Sequence, residues 1–147
     1  MIINVFKTAL ISLALGFITE IVNSWLGTPF LHKFFEDNLI TILVALLAIN
    51  AATMGIVLTK IRELIDKTGG AKFFTNTKRN MLLSVKEQIV LIGMSTITLS
   101  IKGAPVVSQT PNLPLLLNSL LAAIFIYALI ILYDTAKGVL IIVDFNG

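Results

Sequence analysis

Four long apolar stretches, at residues 5–26, 39–59, 84–102 and 115–133, constrain this chain more than anything else in it. A helix needs ~20 mostly apolar residues to cross a ~30 Å hydrocarbon layer, and each stretch approaches or reaches that length. The expected fold is an all-α integral membrane protein: a four-transmembrane-helix bundle with short extramembrane loops, as one membrane domain over residues 1–147. Composition agrees. Hydrophobic residues make up 56% of the chain and charged residues 13%, against ~25% charged in soluble domains.

The charges that remain are arranged by side. Lys60, Arg62, Lys67, Lys72, Lys78, Arg79 and Lys86 cluster between the second and third stretches. Lysine and arginine accumulate on the cytoplasmic face of multi-pass proteins, so the basic 60–83 segment is expected inside. Both termini then lie inside too, joined by Lys7 and Lys137, and only Lys33 and Lys102 fall outside. Trp25 and Tyr133 come at span ends, where amphipathic aromatics are favoured. The first stretch begins like a secretion signal but ends in Ile21-Val22-Asn23-Ser24-Trp25, with no small-residue cleavage site, and is read as a retained span. The third is the shortest. Gln88–Ile101 covers only about 21 Å at ~1.5 Å per residue, so the helix is expected to start earlier, near Thr75, with a re-entrant hairpin as the alternative.

Local signals set the connections. Ile61, Leu64 and Ile65 continue the second helix inward, Glu63 and Lys67 are spaced for an acid-first pair, and Thr68-Gly69-Gly70 supplies a stop. Gly27-Thr28-Pro29 and Gly103-Ala104-Pro105 break helices at the other side. Phe73 and Phe74 sit among the basic residues, which gives the segment a second use in binding acidic lipid or a partner. The apolar tail at 138–147 is too short to span. It is expected to lie in the interface, pack under the bundle or extend against a partner; Val139, Ile141, Ile142 and Val143 favour an extended or partner-bound state, covered by protein or lipid.

Functional signals are polar residues inside apolar stretches. Glu20 is the one acid well inside a span, and such a group is a functional-site hypothesis by default. It is read either as an ion or proton site or as a structural pair with Lys102. Thr8, Ser12, Gly16, Thr19 and Asn23 recur every three or four residues and share one helical face. That stripe either lines a watery path or forms a helix–helix seam, and the seam is favoured. Ala45, Ala48, Ala52 and Gly55 form a small-residue face on the second span, beside Asn50. Leu91, Ser95, Thr98 and Lys102 share a face of the third. Asp134 and Lys137 are spaced to pair locally, and His32 is read as an ordinary loop residue.

The chain excludes several chemistries. It has no cysteine, so no disulfide, thiolate nucleophile or cysteine–metal site is available. No HExxH, GxSxG or Walker sequence is present. No enzyme activity, cofactor, metal or direct nucleic-acid binding is expected. The expected role is a homo-oligomeric channel or pore, with Glu20, Thr19, Asn23, Ser12, Asn50, Ser95, Thr98 and Lys102 as its intramembrane polar residues. The competing role is a non-conducting scaffold that recruits a soluble cytoplasmic partner through the basic segment and the tail. Lysine outnumbers arginine nine to two, as in AT-rich bacterial genes. A bacterial inner membrane is the expected location, and a membrane effector of anti-phage defence is one setting for such a protein.

Overall fold

The computed structural model describes residues 2–68 and 75–143. Five helices follow one another: α1 (Ile2–Leu26), α2 (Phe30–Thr68), α3 (Thr75–Lys102), the short α4 (Pro105–Gln109) and α5 (Leu113–Val143). No strand occurs among the described residues. Helices α1, α2, α3 and α5 are each long and apolar enough to cross a membrane.

The breaks fall where backbone chemistry requires them. Gly27 ends α1 with φ +63°, a conformation glycine adopts without steric cost. The Phe30 amide donates to Thr28 Oγ1 (3.3 Å) as α2 begins. Asn112 takes φ 67° just before α5, and asparagine is among the few side-chain-bearing residues that tolerate this region. Pro114 then sits in the first turn of α5, where its missing N–H costs nothing.

Helix α5 is the hub. It packs against α1, α2 and α3, α2 also packs against α3, and the most extensive pairing joins α1 to α5. The main core joins Phe35, Leu39, Leu43 and Leu46 of α2 to Leu91 of α3 and to Leu121, Ile124, Tyr127 and Ile131 of α5. The buried α2 positions recur at intervals of three and four, the seam spacing of helices that cross at a shallow angle. Outward faces are apolar as well. Trp25 is 84% exposed and Ile56 69%. Such an exterior is stable against lipid, whereas in water it would be an association surface.

Helix ends depart from the hydropathy boundaries. Residues 30–38, expected as a loop, are the first turns of α2. The helical stretches 60–68 of α2 and 75–83 of α3, by contrast, are the continuation and the early start expected above. Backbone hydrogen bonds run on past the apolar residues, so α2 is about 58 Å long at ~1.5 Å per residue. Helix α3 starts at Thr75 and runs unbroken to Lys102, which removes the break that a re-entrant hairpin needs. The tail is corrected as well: residues 138–143 continue α5 as helix rather than extending. Ile142 is buried against Val57, Ile61 and Leu64, and that burial outweighs the β preference of its neighbours. Lys72, Gly69, Gly70, Phe73, Phe74 and residues 144–147 lie outside the described residues.

Candidate functional site: a buried glutamate–histidine cluster

Four polar side chains meet where the C-terminal end of α1, the start of α2 and the start of α5 come together. Glu20 and Asn23 are three apart on α1 and so share a face. His32 sits in the first turn of α2, and Asn118 in the second turn of α5. His32 Nε2 lies 3.0 Å from both Glu20 carboxylate oxygens. The same nitrogen is 3.0 Å from Asn23 Nδ2 and 3.1 Å from Asn118 Nδ2. Asn118 Nδ2 also donates to Glu20 Oε1 (3.2 Å).

Proton counting decides what this arrangement can do. An imidazole nitrogen carries one proton or one lone pair. It cannot donate to a carboxylate and accept from two amides together. Only one proton fits between Glu20 and His32 Nε2: either the Nε2–H donates to the carboxylate, or a carboxylic acid donates to the bare nitrogen. Asn118 supplies the carboxylate with a second donor, while its own Oδ1 is buried without a protein partner. The Glu20 side chain is 4% exposed and that of His32 30%. The acid is thus shielded while its imidazole partner is partly exposed.

This geometry corrects two expectations. Glu20 does not pair with Lys102. The Lys102 ammonium lies 2.8 Å from Glu36 Oε1, because α2 begins earlier than expected and brings Glu36 beside the end of α3. His32 is not a loop residue but the partner of Glu20.

The remaining predicted residues divide by what they touch. Ser12 and Gly16 lie in the α1–α5 seam, both buried. A Cβ added at Gly16 would stand 2.5 Å from the Ser119 carbonyl oxygen and 2.6 Å from Ala123 N. At Gly16 the stripe on α1 is thus a close-packed helix–helix contact, whereas Thr8 lines a cleft. Thr19 is spent on its own helix, its hydroxyl donating to Leu15 O (2.8 Å). Ser95 and Thr98 are buried on α3 with Gln88 and Leu91. Their hydroxyls donate to Ile92 O and Met94 O, each at 2.8 Å, so neither needs water. Asn50 and Gln88 are different. Both are buried, and all four of their amide atoms lack a protein partner.

Ala45, Ala48, Ala52 and Gly55 are exposed along α2. Of the basic residues, Lys60 pairs with Glu63 (3.6 Å), while Arg62, Lys78, Arg79 and Lys86 are exposed. Lys67 lies in the last turn of α2. Asn118 and Gln88 carry no site prediction from sequence, and His32 reads there only as a loop residue. Asn118 and Gln88 were findable as lone amides in apolar stretches.

No known protein family, curated protein or solved structure matches the chain.

Proposed function

We propose that the protein is an ion-conducting subunit of a homo-oligomer, a single membrane domain set in the membrane with both termini and the 60–83 segment inside. The Glu20–His32 pair carries this reading. A carboxylate withdrawn from solvent behind one imidazole, sharing one proton with it, can take up and release a proton or accept a cation. Such a group is expensive in an apolar bundle, and the Asn118 amide is spent on keeping it there.

Two further features support the reading. The amides of Asn50 and Gln88 lack protein partners, and in an apolar medium this costs ~2 kcal/mol or more per group unless water or a second copy supplies one. The α2 face of Ala45, Ala48, Ala52 and Gly55 is exposed, with open space beside Gly55. Small residues at that spacing admit the close approach of another helix, and identical subunits commonly close into rings.

The test is flux from purified protein in liposomes loaded with a pH- or cation-sensitive dye. Flux is expected, and Glu20→Gln is expected to reduce it by an order of magnitude or more. No flux from folded wild-type protein would sink the proposal. A triggered leak also suits an anti-phage effector. Induced expression in a bacterium should then depolarise its membrane, and Glu20→Gln should relieve the effect.

The exposed cations Arg62, Lys78, Arg79 and Lys86 favour a second reading, a scaffold whose helical extensions hold a soluble acidic partner. Neutralising all four should then release that partner from membranes and leave liposome flux at background.

A further inference from the structure

At the opposite end of the bundle from Glu20, a cleft of about 410 Å³ opens between α1, α3 and α5. It holds two acids, Glu87 of α3 and Asp134 of α5, in the part of the chain richest in basic residues. Tyr127 lines the cleft with them, and the like charges of Glu87 and Asp134 disfavour each other there. Neither is in an ion pair among the described residues. The local Asp134–Lys137 pair expected from sequence does not form within 4 Å, although Lys137 lines the same cleft. Thr135 adds a buried hydroxyl oxygen without a protein partner. Two unpaired, mutually repelling carboxylates beside an orphan hydroxyl call for a cationic hydrogen-bond donor.

The size and walls of the cleft narrow the ligand. A bare ion would leave most of the volume empty, and no group of three His, Asp or Glu that could hold a metal occurs among the described residues. The remaining walls include Val5, Met81, Ile130 and Ile142, which suit an aliphatic chain. Asp134 stands 21 residues after Leu113, about 32 Å along α5 at ~1.5 Å per residue, the thickness of one hydrocarbon layer. The cleft therefore straddles the height at which acyl chains give way to headgroups.

We propose that this cleft seats a phosphatidylethanolamine molecule, its ammonium between Glu87 and Asp134, its phosphate at Lys137 and its acyl chain along the apolar wall. A primary ammonium brings three donors for the two carboxylates. The quaternary nitrogen of choline brings none, and the glycerol headgroup brings net negative charge toward two acids.

The test is competition in native mass spectrometry. Full-length protein in micelles is offered equal amounts of phosphatidylethanolamine, phosphatidylcholine and phosphatidylglycerol. Retention of the ethanolamine lipid is expected to exceed that of the choline lipid about tenfold, the ratio one charge-assisted hydrogen bond supplies. Asp134 is exposed, so Asp134→Asn should fold normally and bring the ratio close to one. Glu63→Gln, which removes an acid outside the cleft, should keep it. Equal retention by the wild type, or a preference that survives Asp134→Asn, overturns the proposal. Free phosphoethanolamine in lipid-free micelles is expected to leave the melting temperature unchanged, since it lacks the chain that fills the apolar wall. A stabilisation equal to that of the lipid overturns the lipid as its source.

Discussion

Adding one methyl group at Gly16 should loosen α1 from the bundle. The new Cβ would stand 2.5 Å from Ser119 O, 2.6 Å from Ala123 N and 2.8 Å from Ala123 Cβ, where ordinary contact begins at 3.4 Å. Two of these neighbours are backbone atoms of α5, and no flexible side chain can swing away. The helices must therefore separate by the shortfall, 3.4 − 2.8 to 3.4 − 2.5, or about 0.6–0.9 Å. A gap of ~0.5–1 Å forfeits a quarter to a half of each contact worth ~0.1–0.2 kcal/mol. Over ~40–60 such contacts the loss spans about 1–6 kcal/mol, and the ~1–3 kcal/mol range of overpacked cores narrows the expectation to about 2–3 kcal/mol. That is a 30- to 150-fold change at ~1.4 kcal/mol per decade, or a fall in melting temperature of roughly 5–10 °C for a chain of this length. The measurement is thermal unfolding in micelles by circular dichroism. Gly93→Ala is the control, because Gly93 is exposed with nothing within 4 Å. There the same methyl should be neutral or stabilise the helix by up to ~1 kcal/mol. Equal effects at Gly16 and Gly93 would refute the close-packed seam.

His32→Ala leaves the Glu20 carboxylate buried without its partner and should cost about 3 kcal/mol. Glu20→Gln combined with His32→Ala should recover at least half of that, and unfolding free energies that simply add would show the two residues to be uncoupled. Lys102→Met should cost no more than ~1 kcal/mol, because the Glu36 side chain is 46% exposed and the pair is partly screened; a larger loss in the same melt would mean that the pair is shielded from solvent. Ile142→Ala should cost about 2 kcal/mol through lost contact with Val57, Ile61 and Leu64, and no effect would mean that the end of α5 is not docked. Gly55→Leu should leave the melting of the subunit nearly unchanged while shifting its native mass from oligomer toward monomer; an unchanged oligomer would rule out this face as the contact.

Hydropathy made the four long helices readable because lipid-compatible length is a property of composition. It left their ends unread, for a physical reason. Hydropathy reports where side chains tolerate hydrocarbon, while a helix persists wherever backbone hydrogen bonding is not interrupted. Residues 30–38 are mixed in polarity yet contain no glycine or proline, and nothing in them delays the start of α2, whereas its far end at Thr68 was legible from Gly69-Gly70. The seam on α1 was legible for the opposite reason. Ser12, Gly16 and Asn23 declare a close approach by their size and spacing, before any partner is known.

The partner of Glu20 was out of reach of that kind of reading. Lys102 was the obvious choice by charge and expected depth, and the preference for His32 comes from the early start of α2. Starting α2 at Phe30 turns His32 from loop into first-turn helix, and it brings Glu36 to Lys102. One misplaced boundary thus exchanged the partners of two charged residues. Asn118 needed no boundary to be noticed, since an amide in the otherwise apolar first half of α5 has to find a donor or acceptor in the bundle. Asn50 and Gln88 pose the same demand and find no answer within the subunit. Water in a conduction path would answer it, and so would a second copy. The two answers separate experimentally: where water answers the amide, Asn50→Leu should leave assembly intact and lower liposome flux, whereas it should weaken assembly where the amide bonds across subunits.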